Sequence, residues 1–411
     1  MMHYILNWSF YNPVKALSGP GTIKEVPALV LEALGEKESK SSGNNPGGQT
    51  GNGASQTGSR EKGLIVTSPG FVKRGQAARL QEFLSERKLA ADLISTVKPN
   101  PEVKEIEAYT KRLKDKNYRF LIGAGGGSVI DTAKALSYLL NTGSGFSLSE
   151  HFAGRCELTG DVPLPLVAVP TTAGTGSEAT PFATIWEKEK QKKYSLAKHD
   201  LFPSAAVLDG ELTLSLPDET TISTGLDVLS HALESVWNIN ANPVTTGLAA
   251  QAVEIVLSTL PALIKEPENL DQRQKMLAGS FLGGICISAT RTALAHSISY
   301  PVTAALGAPH GLACAFTIPA LLEYNAKEDD GRFQEVARLA GCESVPGLAN
   351  KISELFEQVK VKELLAKYRV TEENLQKLVS GMFTPERAGN NLRPVDNRAV
   401  QEILKKSLRC F

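Results

Sequence analysis

Between residues 63 and 209, short apolar runs alternate with amphipathic segments, and this alternation restricts the possible folds more than any other feature of the chain. The runs that predict strands are GLIVTS (63–68), ADLIST (91–96), RFLIGA (119–124), PLVAVP (165–170) and AAVLD (205–209). The intervening segments predict helices over 72–88, 101–116 and 129–140, and a hairpin over 184–197. Repeated strand–helix–strand units favour a parallel, doubly wound sheet.

The pattern changes at TLSLP (213–217), after which strand signals vanish and successive helical segments follow. The sequence therefore predicts two domains: an α/β Rossmann-like domain over 1–215 and an all-α domain over 216–411. Residues 36–62 are of low complexity and rich in Gly, Ser, Asn and Gln. Such a segment cannot bury a core, so it predicts a disordered surface insertion in the first domain.

The charge balance excludes an electrostatic reason for binding nucleic acid or an anionic membrane. Lys plus Arg and Asp plus Glu both number 44, and the formal net charge is zero. The start of the chain lacks the features of a signal peptide, and no run approaches the roughly 18 apolar residues of a membrane span. The five cysteines form no CxxC pair, which predicts free thiols in a reducing cytoplasm and a metal site, if present, built from N and O ligands.

A glycine loop, GAGGGSVID (123–131), joins a predicted strand to a predicted helix. Glycines let backbone amides approach a phosphate closely, and the helix N-terminus adds its positive dipole. The loop is neither GxGxxG, because Ser128 stands at the third glycine position, nor a P-loop. The alternative interpretation is a tight turn in which Asp131 caps backbone amides.

A second loop, PTTAGTGSEAT (170–180), also follows an apolar strand and offers hydroxyls and bare amides. Two such loops at adjacent strand ends favour a dinucleotide site more than either loop alone. In the usual fold, an acidic residue at the end of the second strand binds the ribose 2′-hydroxyl. The strand GLIVTS, which begins the nucleotide half of this fold, ends in Ser68 and offers no acidic side chain for that hydroxyl. NADP therefore stays an alternative to NAD as the cofactor.

A candidate metal site begins on GLDVLSHALES (225–235), where Asp227 and His231 are four residues apart and share one helix face. This pair alone also fits a simple hydrogen bond. His296 and His310, in an apolar segment rich in small residues, strengthen the metal hypothesis. A buried unpaired carboxylate is costly, and a divalent cation offsets that cost. One Asp and three His without sulfur suit Fe(II), Zn(II), Mn(II) or Co(II).

Taken together, the motifs resemble one family across nearly the whole chain. The matching pieces are YNP near the start, VKPNPEV (97–103), GGGSVID (125–131), PTTAGTGSE (170–178), GLDVLSHALES (225–235) and HSISYPVTAALGAPHG (296–311). Their order and spacing resemble the iron-containing (group III) alcohol dehydrogenases, and only the 36–62 insertion stands outside. The resemblance implies a dehydroquinate-synthase-like fold, in which an α/β domain binds NAD(H) or NADP(H) and a helical domain binds a divalent metal, with Fe(II) favoured over Zn(II) or Mn(II). It also implies a homodimer.

Site residues carry over by position. The resemblance implies the metal ligands Asp227, His231, His296 and His310. It implies a pyrophosphate loop of Gly125, Gly126, Gly127 and Ser128, followed by Asp131. Further implied cofactor contacts are Ser68, Asn100, Thr171, Thr172, Thr180 and Lys193, of which Lys193 is expected to reach the ribose.

Tyr300 stands where many members of the family have a histidine thought to aid proton relay. A neutral phenol with a pKa near 10 does not act as a base at neutral pH. We therefore expect Tyr300 to shape the substrate pocket or donate a hydrogen bond to the substrate.

Arg291, five residues before His296, would attract a negatively charged substrate, and Phe182 narrows the pocket. These departures resemble the branch that includes phosphonoacetaldehyde and sulfoacetaldehyde reductases, and they predict a short anionic aldehyde. The alternative for Arg291 is a structural salt bridge at the domain interface. Other possible functions are a general short-chain alcohol or diol dehydrogenase, glycerol-1-phosphate dehydrogenase or dehydroquinate-synthase-type chemistry, and a non-enzymatic binding protein. The D-x3-H and H-x13-H spacings favour the alcohol dehydrogenase branch.

Overall fold

The computed structural model describes residues 7–35, 61–143, 146–190 and 192–409. The strands are β1 (Lys15–Ser18), β2 (Lys62–Thr67), β3 (Ala90–Ile94), β4 (Phe120–Gly125), β5 (Leu166–Pro170), β6 (Phe182–Glu187), β7 (Lys192–Ala197) and β8 (Ala205–Leu208). The α-helices before the last strand are α1 (Val26–Ala33), α2 (Pro69–Lys73), α3 (Gln76–Glu86), α4 (Val103–Leu113), α5 (Gly127–Leu139) and α6 (Leu148–Phe152). The predicted 36–62 insertion lies outside the described residues except for its last two.

The N-terminal domain contains a six-stranded parallel sheet in the order β1-β8-β5-β4-β2-β3, which confirms the predicted parallel architecture. From β2 the chain moves outward to β3, then returns to place β4 on the other side of β2. The direction of winding therefore reverses between β2 and β4. In doubly wound sheets the ligand crevice lies at such a reversal, beyond the carboxyl ends of the strands. The glycine loop follows β4 at this position.

The central strands are buried on both faces, which explains why they read as continuous apolar runs. Leu64 and Leu121 pack into one core layer, whereas their chain neighbours Ile65 and Ile122 pack into the layer on the opposite face. Because successive side chains point to opposite sides of a strand, a strand covered by helices on both faces needs apolar residues at every position.

Two details of the N-terminal domain differ from the prediction. The strand β1 was not predicted, because it has four largely exposed residues at the sheet edge, where it pairs with β8. The helix predicted over 72–88 is wrong as a single element. Gly75 adopts a φ of +75° between α2 and α3, a left-handed conformation that glycine accepts without steric cost. The predicted hairpin is present as antiparallel β6 and β7.

The C-terminal domain is helical, as predicted. Its helices are α7 (Asp218–Val236), α8 (Pro243–Lys265), α9 (Leu270–Thr290), α10 (Leu294–Leu306), α11 (His310–Ala315), α12 (Ile318–Asn325), α13 (Arg332–Leu339), α14 (Val345–Gln358), α15 (Val361–Lys367), α16 (Glu372–Leu378), α17 (Pro385–Ala388) and α18 (Asn397–Arg409). Among the described residues after β8, the β-type pairing is a single isolated bridge. The predicted division between 215 and 216 falls in the connection from β8 to α7.

Helix α8 is long and apolar enough, by length and composition, to cross a membrane, with a mean hydropathy of 1.6 over its best window. It packs against both α7 and α9, and half of that window is buried within the protein. The bent pair α9 and α10 passes the same test only when both are counted as one span. Core helices of globular domains have this composition too, so α8 is explained by its burial.

The two domains meet closely at a pair of glycines. Gly176, in the loop after β5, has a φ of +59°, and a Cβ there would lie 2.3 Å from the Cα of Gly284 on α9. No larger residue fits at this contact. Asn12 adds a polar link, because its side-chain amide donates to the Ala179 carbonyl at 2.9 Å and to Ser288 Oγ at 3.2 Å. The loop over 170–180, the second of the two candidate cofactor loops, is thus held directly against the helical domain.

Candidate metal and dinucleotide site

Helix α7 presents one polar stripe inside an apolar core. Asp227, His231 and Glu234 occupy positions i, i+4 and i+7, which share a helix face. All three are buried, and Glu234 is fully inaccessible. Asp227 and His231 were predicted from sequence, whereas Glu234 was missed. Its position seven residues after Asp227 on the same stripe was the available signal.

Glu234 positions His296 at the start of α10. Its carboxylate accepts from His296 Nδ1 at 2.6 Å and from the backbone amides of Ala293, Ala295 and His296. In a neutral ring whose Nδ1 donates to the carboxylate, the lone pair lies on His296 Nε2. Burial alone raises the pKa of Glu234, but the His296 ring and the amides outweigh it and the pKa is lowered. A carboxylate behind an imidazole is a common arrangement around metal-binding histidines.

A close helix contact brings His310 to the same place. His310 begins α11, and a Cβ on the next residue, Gly311, would lie 1.8 Å from the Ser223 carbonyl oxygen and 2.8 Å from Asp227 Cβ. Only glycine permits this approach of α11 to α7. The glycine of the PHG triplet is therefore required by this helix contact, independently of any role of the histidine.

The ligand atoms converge around Asp227. His231 Nε2 and His296 Nε2 each lie 3.7 Å from Asp227 Oδ1. The His231 and His296 rings stack with centroids 4.8 Å apart, and the His296 and His310 centroids are 5.3 Å apart. A separation of 3.7 Å is too long for a hydrogen bond, but an ion about 2.0–2.2 Å from each atom would span it.

The chemistry of these atoms fits a divalent cation. Asp227 Oδ1 and His296 Nε2 are buried without a hydrogen-bond partner. Burial lowers the pKa of His231 to about 4, so its imidazole is neutral at pH 7 and can donate a lone pair. Unpartnered buried polar atoms are costly, and a bound cation would offset that cost. The four predicted ligands thus lie near one another, and their N and O atoms suit a divalent cation.

Sulfur, which the sequence prediction excluded from the metal site, also lies beside these atoms. One described group has ligand atoms all within 4.8 Å of one another, and it comprises Asp227, His296, His310 and Cys314, without His231. Cys314 follows His310 by one helical turn on α11. That spacing of four residues was visible in the sequence.

The glycine loop has the geometry expected of a phosphate-binding turn. Gly125 ends β4, Gly126 is the N-cap of α5, and α5 begins at Gly127. A Cβ on Gly127 would lie 2.6 Å from the Thr175 side chain, so glycine is required where the two loops meet. Ser128 Oγ accepts from the Asn100 backbone amide at 3.1 Å.

Other predicted cofactor residues surround the same strand ends. The Thr171 amide donates to the Gly125 carbonyl at 3.0 Å, and Thr172 lies beside Gly126. Ser68 follows β2 and makes no side-chain capping bond to α2. The two loops and Ser68 therefore line one edge of the sheet, at the winding reversal.

Asp131 is engaged inside the protein. Its Oδ1 accepts from the Ser177 hydroxyl at 2.6 Å and its Oδ2 from the Thr184 amide at 3.0 Å. It thereby ties α5 to the second loop and β6, whereas the N-terminus of α5 has no side-chain cap, so the alternative in which Asp131 caps amides of the glycine loop is wrong. Lys134, a residue not predicted, is fully buried and donates to Ser177 Oγ and Thr180 Oγ1, each at 2.9 Å. Burial lowers the pKa of Lys134 to about 8.

Tyr300 contacts one candidate metal ligand, His310, and two cationic side chains. Its ring stacks on His310 with centroids 6.0 Å apart and 15° between planes. Lys193 Nζ is 3.9 Å from the Tyr300 centroid, and Arg387 Cζ is 4.7 Å from it. Lys193, predicted to reach a ribose, thus lies over Tyr300. Arg387 was missed, because no sequence pattern links α17 to this site.

A third cation, Arg291, lies over the face of Phe182, with Cζ 4.9 Å from the ring centroid. Arg291 has a φ of +67°, an uncommon conformation for a residue other than glycine. Its carbonyl accepts from Asn238 Nδ2 and Thr290 Oγ1, which hold the backbone there. Partial desolvation and the like charge of Arg387 lower the pKa of Arg291.

Lys193, Arg291 and Arg387 make no ion pair with any acidic side chain in the described part of the chain. The structural salt bridge considered for Arg291 therefore has no partner among those residues. These three cationic side chains lie around Tyr300 and Phe182, beside the candidate metal ligands.

Comparison with known proteins agrees with this arrangement. Residues 41–210 match the sequence profile of the iron-containing alcohol dehydrogenases, and residues 221–408 match that of the C-terminal part of the Fe-containing alcohol dehydrogenase family. The probable alcohol dehydrogenase EutG of Escherichia coli (strain K12) is 34% identical over 302 residues, which cover 72% of this chain and 75% of that protein. The sulfoacetaldehyde reductase of Bilophila wadsworthia is 29% identical over 340 residues, covering 80% and 87%.

Comparison with solved structures indicates the same family. The sulfoacetaldehyde reductase from Bifidobacterium kashiwanohense, in complex with NAD+, is 30% identical, covers 98% of both chains and superposes with a TM-score of 0.82. A 1,3-propanediol oxidoreductase that is 23% identical superposes with a TM-score of 0.84, which shows the shared fold. The chain belongs to the iron-containing alcohol dehydrogenase family and is an oxidoreductase acting on CH–OH groups.

Proposed function

We propose that this chain is a metal-dependent, NAD(P)-linked reductase of short aldehydes that carry an anionic group, such as sulfoacetaldehyde or phosphonoacetaldehyde. The observation that carries the proposal is the group of Lys193, Arg291 and Arg387 beside the metal cluster. Cations without carboxylate partners repel one another, and a sulfonate or phosphonate would relieve that repulsion while forming charge-assisted hydrogen bonds. Similarity to two sulfoacetaldehyde reductases supports the same substrate class.

Asp227, His231, His296 and His310 would hold the divalent metal. When bound, the metal supplies a Lewis acid that polarises the carbonyl oxygen of the substrate. Glu234 keeps His296 in the tautomer whose Nε2 lone pair faces the cluster. Tyr300 forms the pocket wall between His310 and the cations, and Phe182 with Arg291 forms another side. An anionic aldehyde bound there would place its charged end toward Lys193, Arg291 and Arg387.

The dinucleotide would lie along the carboxyl ends of β2, β4 and β5. The amides of Gly127 and Ser128 at the start of α5 suit a pyrophosphate, because a helix N-terminus favours negative charge. Thr171, Thr172 and Asn100 border that position. Ser68 provides no carboxylate for a ribose 2′-hydroxyl, so we propose that either NADH or NADPH can be used. When bound there, the nicotinamide would supply the hydride, and these residues would orient its ring toward the substrate.

The test of this function is a substrate panel. The purified chain is reconstituted with Fe(II), Zn(II) or Mn(II) and assayed with NADH and NADPH against sulfoacetaldehyde, phosphonoacetaldehyde and propanal. We expect kcat/KM to be higher for the anionic aldehydes. A preference for propanal or a diol would indicate a general alcohol dehydrogenase instead, and formation of a carbocycle would indicate dehydroquinate-synthase-type chemistry.

Replacing Arg291 or Arg387 with alanine is expected to lower kcat/KM selectively for anionic aldehydes. A hydrogen bond to a charged group contributes about 1.5–3 kcal/mol, so we expect a loss of about ten- to a hundredfold. Propanal, without a negative charge, is expected to change by less than about threefold. Arg338→Ala, at an exposed position on α13, is the matched control. An equal loss for charged and neutral aldehydes would contradict anion recognition by these arginines.

Tyr300→Phe is expected to keep metal binding and alter substrate kinetics. Phenylalanine retains the ring that contacts His310, Lys193 and Arg387, and removes a hydroxyl that can donate a hydrogen bond to the substrate. Losing such a bond costs about 0.5–1.5 kcal/mol, so kcat/KM should fall by about three- to tenfold. Tyr300→Ala, which removes the ring as well, should have the larger effect. Metal content measured by mass spectrometry must stay at the wild-type level; loss of metal would mean that Tyr300 supports the ligands.

A further inference from the structure

We propose that Cys314 Sγ binds the same ion as Asp227, His296 and His310, so that the metal centre of this chain contains a thiolate. The inference rests on the proposed function, because it concerns the same metal site. It changes the chemical class of that site from purely N and O ligands to mixed N, O and S ligands, and it thereby changes which metals the site prefers.

The geometry of α11 places the thiol among the ligands. Cys314 follows His310 by one helical turn and is fully buried. Its Sγ lies 3.8 Å from both His310 Nδ1 and His310 Nε2. Together with Asp227 and His296, these residues offer ligand atoms that all lie within 4.8 Å of one another. A single ion could therefore contact all four.

An independent observation shows that this space is built for a ligand. Asp227 Oδ1 and His296 Nε2 have no hydrogen-bond partner, and their side chains are only 5% and 3% exposed. Both belong to the group that contains Cys314. A thiol is a weak hydrogen-bond donor and cannot satisfy a buried carboxylate oxygen and an imidazole nitrogen together. A cation among these atoms would satisfy both.

The binding step is a proton-for-metal exchange at sulfur. The S–H bond of Cys314 breaks, the proton leaves to solvent, and the sulfur lone pair forms a bond to the divalent ion without a change of oxidation state. Thiolate is a softer ligand than carboxylate or imidazole, and it favours Zn(II) over Fe(II) and Mn(II). The structure thus assigns to Cys314 a role in metal selection.

Cobalt substitution tests this assignment without relying on turnover. Wild type, Cys314→Ser and Cys286→Ser are stripped of metal, titrated with Co(II), and followed by absorption and by metal analysis. Cys286 is the matched control, because it is equally buried but donates to the Thr245 carbonyl outside the cluster. We expect a thiolate-to-cobalt charge-transfer band in the near ultraviolet for wild type and Cys286→Ser. Cys314→Ser should still bind one Co(II) but lack that band.

Competition with a chelator adds a second measurement. Loss of an outer partner of a metal ligand costs about 10–100-fold in affinity, so loss of the ligand itself should weaken Zn(II) binding at least about tenfold. Fe(II) binding should weaken less, so the ratio of Zn(II) to Fe(II) affinity should fall in Cys314→Ser. A wild-type protein that binds one Co(II) with no charge-transfer band would overturn the role of Cys314 and leave the proposed function standing. Failure of wild type to bind any metal would overturn both.

Discussion

Replacing Asp227 with asparagine is expected to abolish tight metal binding and aldehyde reduction while the fold remains intact. The carboxylate is the one anionic member of the predicted ligand set, and both His231 and His296 approach the same Oδ1 at 3.7 Å. An amide oxygen keeps the shape but loses the charge that holds a divalent cation. Metal Lewis acidity contributes several kcal/mol to such reactions, so kcat/KM should fall at least about a thousandfold.

Two measurements check this expectation. Metal content after reconstitution should fall from about one ion per chain to near zero, and metal addition should no longer raise the melting temperature, because stabilisation by a ligand requires binding. The metal-free variant should unfold with a free energy close to that of metal-free wild type, because Asp227 Oδ1 has no hydrogen-bond partner to lose. Asp218→Asn, at the exposed start of the same helix, is the control. Full metal content and activity in Asp227→Asn would disprove the predicted site.

Glu234→Gln is the second change with a large expected effect, although Glu234 would not itself touch the ion. Its two oxygens accept from His296 Nδ1 and from three backbone amides. Glutamine replaces one acceptor with an NH₂ group that faces these donors. An unsatisfied buried group costs about 1–3 kcal/mol, so the free energy of unfolding should fall by about that amount. Metal affinity should also fall about 10–100-fold, because His296 loses its orienting partner.

Urea unfolding of the metal-free protein measures the first effect, and competition with a chelator measures the second. Glu254→Gln makes the same chemical change on the exposed face of α8 and should leave both values unchanged. If Glu234→Gln lowered stability but kept wild-type metal affinity, Glu234 would only cap the first turn of α10. Unchanged stability and affinity together would contradict both roles.

Much of the fold could be predicted because its signals are local. The apolar runs of β2, β4 and β5 read as buried strands, since a strand covered on both faces needs apolar residues throughout. The glycine loop was recognisable because a close phosphate approach demands bare backbone. The edge strand β1 and the break at Gly75 were missed, because a short exposed strand and one left-handed residue hardly change the hydrophobic pattern.

The site was partly predictable for the same reason. Asp227 and His231 stand out because one helical turn places them on a common face. Glu234 and Cys314 obey similar spacings, but spacing alone does not distinguish a ligand or its partner from a core residue. Their roles depend on α10 and α11 packing against α7, and Gly311 permits that contact.

By itself, the sequence determined the class of the fold, the two candidate cofactor loops and the candidate metal ligands. Each of these predictions depends on residues within one turn, strand or loop. Only the tertiary structure decided that Asp131 ties α5 to the second loop, that Lys193 and Arg387 lie over Tyr300, and that Cys314 Sγ lies within 4.8 Å of the possible ligand atoms of Asp227, His296 and His310. These contacts join segments far apart in the chain. Their distances follow from how helices and sheet pack, and packing leaves no periodic signal along the chain.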